Sequence, residues 1–415
     1  MAMLSELLKF DVVDPSGVRG RLLDLEVELL EHEYPEVLGI HFSSPDGPLR
    51  LDWNETIKVN SSKREIYIND IRSAEKVSED QHKSRVLLKW DVLDGLVIDL
   101  LSRRTTRATD LMLWISEDRM ELKAVDTGFV AMLRRISRGA FRGAERRDMF
   151  DWKYVEFLRG DPAAVDSGAG YHMRIGRLPA GEIAQIADYI PYLHAAELLT
   201  LIDDDKAARV LEAMSIERQV QVIEEFSPEE AVELLTRMSP DRATDLIRRL
   251  GVDIMKTYLN AMPRKQRDRI IELLRYAEDT VGGTMINNTL CIGERVTVSS
   301  ARNKVRVHSK QGDFIGVIFV TASSDDRTLK GVVTFRDLMG ADDTEKLSDI
   351  MDPYVVTLNP GDKAIDAAYR VITGQIAGMP VTDENGKLVG AMTVEAAVSQ
   401  VVPPGSALNN LKVFS

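Results

Sequence analysis

Carboxylates are the residues of this 415-residue chain whose spacing could do chemistry. Asp342, Asp343, Glu345, Asp349 and Asp352 place five of them within eleven positions. Asp203, Asp204 and Asp205 are consecutive, and an acid recurs every twelve residues at Asp205, Glu217, Glu229, Asp241 and Asp253. Oxygen-only sets suit hard divalent cations, and Mg2+ in particular is held through one or two carboxylates while keeping most of its waters. The same residues also suit turns and helix N-termini, whose dipole favours negative charge. Both readings stand at this point. Thr334 and Asp337, three apart after an apolar run, could cap a helix. Other chemistries lack their parts. The six histidines (His32, His41, His82, His172, His194 and His308) show no ligand spacing. Gly282-Gly283 is not a phosphate loop, and no nucleophile elbow or Walker sequence is present. The sequence therefore predicts no enzyme.

The elements that must position these acids announce themselves by repetition. "HAAELLTLIDDD", "KAARVLEAMSIE", "RQVQVIEEFSPE", "EAVELLTRMSPD" and "RATDLIRRLGVD" follow one another in one register. Positions 2, 5, 6 and 9 are Ala or a large apolar residue, with Gln219 as the exception at position 2. That spacing is one face of a helix. Helices of about nine residues are unstable alone, so each unit must bury its stripe on its neighbours in a helical solenoid. Ser227 and Ser239 are expected to cap, with Pro228 and Pro240 at the first helical position and Glu230 completing a capping box. Weaker copies extend the register from Glu182 to Ala277.

These units, the Ser-Pro-acid turns and the exit "LLRYAEDTVGGTM" (residues 273–285) resemble the intracellular N domain of MgtE magnesium transporters. "IMDPYVVTLNPGDKAIDAAYRVITGQIAGMPVTDENGKLVGAMTVEAAVSQVV" resembles a CBS motif, and "GVVTFRDLM" closes a less regular first copy. The order, N domain and then CBS pair, is that of MgtE. The resemblance implies that Asp203, Asp204, Asp205, Asp241, Asp342, Asp343, Asp349 and Asp352 hold Mg2+ where N domain and CBS pair meet. It also implies an adenine nucleotide, its ribose on a Thr followed three residues later by Asp. Thr334 and Asp337 match that pattern. The second motif has Thr393, but Ala396 replaces the Asp. CBS pairs associate face to face, which implies a homodimer, with Leu338, Met339 and Val398 supplying apolar surface.

Two phrases in the front third, "LLKFDVVDPSGVRGRLLDLEV" and "LLKWDVLDGLVIDLL", resemble PRC-barrel domains, small β-barrels that bind proteins. The expected fold is multidomain α+β: PRC-like barrels at 1–80 and 84–147, a linker at 148–176, the helical solenoid of 12-residue units at 177–283, CBS motifs at 284–340 and 346–403, and a tail at 404–415.

Composition bounds the function. The net charge is −13, and residues 194–253 hold 14 acidic against 7 basic residues, a net of −7. That argues against nucleic acid as the main partner. Six Arg and one Glu within residues 134–147 read as a solvated linker or as a contact to phosphate or a membrane surface. The N-terminus lacks a signal-peptide pattern, no apolar run reaches transmembrane length, and the lone Cys291 excludes an internal disulfide. Thirteen residues follow Val402, where a transporter would continue into its membrane domain, which implies regulation in trans. The expectation is a cytoplasmic, Mg2+-responsive regulatory protein, at the inner face of the membrane when it docks on a membrane metal transporter. The alternative is a nucleotide-responsive adaptor docking through its barrels to an enzyme or to ribosome assembly.

Overall fold

The computed structural model describes residues 1–29, 33–45, 47–77, 86–116, 119–128, 131–132, 148–159, 174–309, 314–374 and 376–402. The Arg-rich segment 134–147 and the tail 404–415 lie outside them. The chain is mixed α+β and divides into two compact units, Met1–Met214 and Ser215–Ser415.

In the first unit, alternating and β-branched runs form strands β1 (Ala2–Met3), β2 (Asp11–Val13), β3 (Arg19–Val27), β4 (Val37–Ser44), β5 (Gly47–Asp52), β6 (Lys58–Asn60), β7 (Glu65–Tyr67), β8 (Glu75–Lys76), β9 (Val86–Leu87), β10 (Leu96–Asp99), β11 (Arg104–Arg107), β12 (Asp110–Ile115), β13 (Met120–Asp126), β14 (Met149–Asp151) and β15 (Val155–Leu158). A short helix α1 (Leu4–Leu7) follows β1. Three sheets result: β6-β7-β2-β3-β4-β5-β8 with β9 also on β3, β1-β12-β13-β14, and β11-β10-β15. They share one core, in which Leu4, Leu7, Phe42, Ile66, Leu88, Leu113, Leu122 and Trp152 are buried.

The two expected halves are not separate bodies here. Ala2 pairs with Leu113, and Val86 and Leu87 pair with Val27 and Glu26. The expected linker also contributes structure, since β14 pairs with β13 and β15 with β10. The reason is composition: Trp152, Val155 and Phe157 within "MFDWKYVEFL" are buried apolar residues, and a buried strand must pair its backbone.

Buried charge in this unit is held by neighbouring groups. Arg50 donates Nε to Glu26 Oε2 and Nη2 to Glu26 Oε1, each at 2.9 Å, and His41 Nε2 lies 3.1 Å from Oε2. Asp24 accepts from the backbone N–H of Leu25, Lys89 and Trp90 at 2.7, 2.7 and 3.0 Å. Its burial outweighs those bonds and pushes its pKa up to about 6.

The repeat folds as helices α2 (Ala180–Tyr189), α3 (Tyr192–Thr200) and α4 (Asp204–Ala213) of the first unit. The second unit continues with α5 (Ile216–Ile223), α6 (Pro228–Arg237), α7 (Pro240–Arg249), α8 (Val252–Ala261) and α9 (Arg264–Leu273). The apolar stripe is inside: Leu198, Leu199, Val210, Leu211, Val222, Ile223, Leu234, Leu235, Leu246 and Ile247 are buried. Ser227 and Glu230 form the expected capping box, with Oγ accepting from Glu230 N at 3.3 Å and Oε2 from Ser227 N at 2.8 Å. Packing within each unit runs largely between next-but-one helices: α2 with α4, α6 with α8, α7 with α9. Most helices end in one extended residue, such as Met238, Leu250 or Met262, which turns the chain between one helix and the next.

The exit "TVGGTM" explains its glycines. A Cβ on Gly282 would lie 2.4 Å from the Tyr276 ring. Its N–H donates to Pro360 O at 2.9 Å, while Val281 N donates to Asp362 O at 2.9 Å. Helix α10 (Val281–Thr284) is thereby fixed to the last β-α-β-β-α motif.

Two such motifs follow. The first holds β16 (Thr289–Gly293), α11 (Val298–Ser309), β17 (Phe314–Thr321), β18 (Leu329–Val333) and α12 (Phe335–Gly340), with β16 and β17 parallel. After α13 (Leu347–Ile350), the second holds α14 (Ala364–Thr373), β19 (Gly378–Thr382), β20 (Leu388–Thr393) and α15 (Val394–Val401), with a parallel bridge from Leu358 to Val381. The motifs are interlocked. Ile286 bridges Ala391, Val332 bridges Asp352, and Phe319, Val317, Leu388 and Ala391 share a core. Leu338, expected on the outer apolar surface, belongs instead to the core of the first motif, because α12 turns Phe335 and Met339 outward.

Candidate functional site

The expected acids fall into two groups once placed. Asp203, Asp204 and Asp205 sit in the first unit at the start of α4, and Asp203 Oδ1 caps it by accepting from Lys206 N at 2.9 Å. The others are in the second unit. Asp342 starts a turn in which its N–H donates to Glu345 Oε2 at 2.7 Å. Asp343 pairs with Arg302, which also donates to the carbonyls of Leu338 and Ala341 and so ties off the end of α12. Asp349 Oδ2 accepts from Lys346 N at 3.2 Å in the first turn of α13. Asp352 Oδ1 accepts from Tyr354 N at 2.9 Å. Among the described residues, no three His, Cys, Asp or Glu side chains come together as a metal-binding group. The run 342–352 is thus spread over caps, turns and an ion pair.

Asp241 differs from these. It lies in the first turn of α7, and its Oδ1 is buried without a hydrogen-bond partner. Burial raises its pKa. Asp245, one helical turn on, is pushed up to about 6, first by burial and then by the charge of Asp241. The charge of Glu278 acts on it in the same direction, while Arg242 and Arg248 oppose. Two half-buried carboxylates that repel each other are the arrangement a divalent cation relieves. Asp245 and Glu278 were not singled out by sequence. The available signal was the i,i+4 spacing of Asp241 and Asp245 on one helix.

This acidic edge adjoins the second motif. Arg242 Nη2 lies 3.9 Å from Glu395 Oε1 on α15. Arg248 donates Nη2 to Leu273 O and Tyr276 O at 2.8 and 2.7 Å, holding the end of α9. Asn287 Nδ2 donates to Arg269 O and Glu272 Oε2, both at 3.0 Å.

Thr334 and Asp337 form a reciprocal cap on α12. Thr334 Oγ1 donates to Asp337 Oδ2 at 2.6 Å, and Asp337 N donates to Thr334 Oγ1 at 3.2 Å. Asp337 is exposed, and its bonds go to Oδ2, so the carboxylate can also accept from a hydroxyl of a ligand. Thr393 Oγ1 accepts from Ala396 N at 3.1 Å and has no acid beside it. The donor set fits a ribose in the first motif and lacks its carboxylate in the second.

Comparison with known proteins adds two domain matches. Residues 178–279 match the MgtE intracellular N domain, and residues 347–401 match the CBS domain. The chain carries an MgtE N domain followed by a CBS pair. It is 31% identical over 131 residues to the magnesium transporter MgtE of Thermus thermophilus, covering 32% of this chain and 29% of that one. To MgtE of Enterococcus faecalis it is 28% identical over 137 residues, or 33% and 30% of the two chains. The chain thus spans about a third of the length of these curated relatives. Among solved structures, the cytosolic domain of the Mg2+ channel MgtE in complex with ATP superposes with a TM-score of 0.52 at 26% identity, covering 58% of this chain and 95% of that one. The soluble part of a magnesium transporter gives 0.50 at 25%, covering 54% and 87%. Among the described residues, no helix is long and apolar enough to cross a membrane. The MgtE N domain begins in the first compact unit and continues in the second, so Asp241 and Asp245 lie in its second-unit part.

Proposed function

We propose that this chain is a non-enzymatic, Mg2+-responsive regulatory protein that reports metal level to a membrane metal transporter in trans, from the cytoplasmic face. The observation that carries the reading is the Asp241–Asp245 pair, partly buried, mutually repelling and with one oxygen unpartnered, on the helix that reaches the CBS pair through Arg242 and Glu395. Mg2+ bound there through one or two carboxylates would neutralise the pair and let this part of the N domain close on the CBS pair. Asp342, Asp343, Asp349 and Asp352 add negative charge to the same unit, several of them doubling as caps, and Asp203, Asp204 and Asp205 are candidate Mg2+ ligands of the first unit. An adenine nucleotide at Thr334 and Asp337 is a second input to the same pair of motifs.

The reading extends to assembly. Phe335, Met339, Ile365, Tyr369 and Ile372 are exposed on α12 and α14, an apolar set that a second copy would cover in a homodimer. Residues 1–147, with the phrases that resemble PRC barrels, would supply the surface that docks on the transporter.

The test is melting temperature and solution scattering with and without millimolar Mg2+ at matched ionic strength. Mg2+ should compact and stabilise the protein, and Asp241→Asn with Asp245→Asn should remove both effects. Unchanged radius and melting temperature would sink metal sensing. Stabilisation by adenylate alone, lost in Asp337→Ala, would favour the nucleotide-responsive adaptor.

A further inference from the structure

Position four of the 12-residue repeat faces solvent: Arg209, Gln221 and Glu233 are exposed and Asp245 is half-buried. Glu197 occupies the same position on α3 and is 0% exposed. What covers it is the β-rich part of the first unit. Glu197 Oε1 accepts from the backbone N–H of Arg159, just past β15, at 2.8 Å. A second carboxylate returns the contact. Glu156, on β15 and 1% exposed, accepts through Oε2 from the backbone N–H of Ile175 at 2.9 Å, in the turn that leads into α2. Arg174 beside it donates to Trp152 O at 2.9 Å. Each acid thus comes from one partner and binds the backbone of the other or of its lead-in.

We propose that Glu156 and Glu197 form a proton-operated latch that holds the β-rich part of the first unit against the first helices of the N domain. The latch goes beyond metal sensing and stands or falls independently of it. Buried carboxylates are costly when ionised. Burial pushes Glu156 up to about 7, and the charge of Glu197 adds to the rise. The opposing groups are the N–H of Ile175, the charge of Arg174 and the N–H of Arg174. The other charges around the latch are already engaged or face elsewhere. Arg159 lies 3.7 Å from Asp91, Asp99 of β10 accepts from Leu101 and Ser102, and His194 of α3, beside Arg107, is shifted down by burial. Arg177 acts on Arg174, and Glu182 of α2 pairs with Arg103 at 3.0 Å.

The sign follows from linkage. Glu156 holds its proton to higher pH when latched than when released, where its ordinary value is 4.5. The latched state therefore loses stability as pH rises from 4.5 to about 7 and is flat above that. The experiment is amide hydrogen exchange of the full chain from pH 5 to 8.5, corrected for intrinsic rates, read at Ile175 and Arg159. Protection should fall on the order of a hundredfold across that range. Glu156→Gln should keep it high and flat, and Glu197→Gln should move the midpoint to lower pH. Flat protection in the parent, or an equal fall in Glu156→Gln, overturns the latch. If Glu156→Gln does not fold, an unmoved midpoint in Glu197→Gln overturns it equally.

Discussion

In the first unit, Asp24, Glu26, Asp110, Glu156 and Glu197 are buried and each meets donors: backbone N–H for Asp24, Glu156 and Glu197, Arg50 for Glu26, and Ser5 for Asp110. In the second unit, the acids that cap and turn the chain are exposed, and Asp241 keeps a buried oxygen that nothing meets. A buried acid with its donors is a joint of the architecture. A half-buried acid with one oxygen lacking a donor is a place for something from outside. The same side chain serves two purposes, and the local supply of N–H groups decides which.

The largest test of this contrast is Arg50→Ala. It takes the bidentate partner from a buried Glu26, and removing one member of a buried pair costs about 3–5 kcal/mol. All four tryptophans, Trp53, Trp90, Trp114 and Trp152, lie in the first unit, so its denaturant transition can be followed by their fluorescence. A loss under about 1 kcal/mol would mean that Glu26 is solvated after all. Next is Gly282→Ala, where the new methyl meets the Tyr276 ring. Overpacking of this kind costs about 1–3 kcal/mol, and it should appear in the melting of the second unit while tryptophan fluorescence stays unchanged.

Asp245→Asn should act in the opposite sense. Its carboxyl titrates near about 6 in the fold instead of 3.8, so it destabilises the fold as pH climbs through that window. The amide should raise stability at pH 7.5 by about 1–2 kcal/mol without Mg2+, flatten the pH profile and abolish the response to Mg2+. A destabilised variant would show that Asp245 is paired like the acids of the first unit. The smallest effect is expected from Asp203→Ala, which loses a helix cap worth about 1 kcal/mol and should leave the Mg2+-induced shift intact. If the shift disappears, Asp203 is a ligand as well as a cap.

How much of this was legible in the sequence depends on range. The helices of the repeat and the Ser227–Glu230 box are set by residues three to four apart, and both were readable. The Thr334–Asp337 cap was readable for the same reason, although the sequence alone left it open between cap and nucleotide contact. The run 342–352 looked like one cluster because its members are close in the chain, but backbone turns point them at different partners. Glu156 and Glu197 were invisible for the converse reason. Nothing within a few residues of Glu197 marks it as different from Glu233, and only the arrival of β15 buries it. Likewise the pairing of Ala2 with Leu113 spans 111 positions and leaves no local trace.

The bridge between Ile286 and Ala391 carries a consequence for how the chain is made. A ribosome that has just added Ile286 must add 105 more residues before its partner exists. At about 5–20 residues per second, that is roughly five to twenty seconds. In the later part of that interval, once residue 340 has been added, the first CBS motif is on the growing chain with its docking core, Val317, Phe319 and Val332, uncovered. Slow codons after residue 340 would lengthen the exposure, and a chaperone recruited there would shorten its effect. The interlock that makes two motifs behave as one body therefore makes the nascent chain most vulnerable between residue 340 and Ala391.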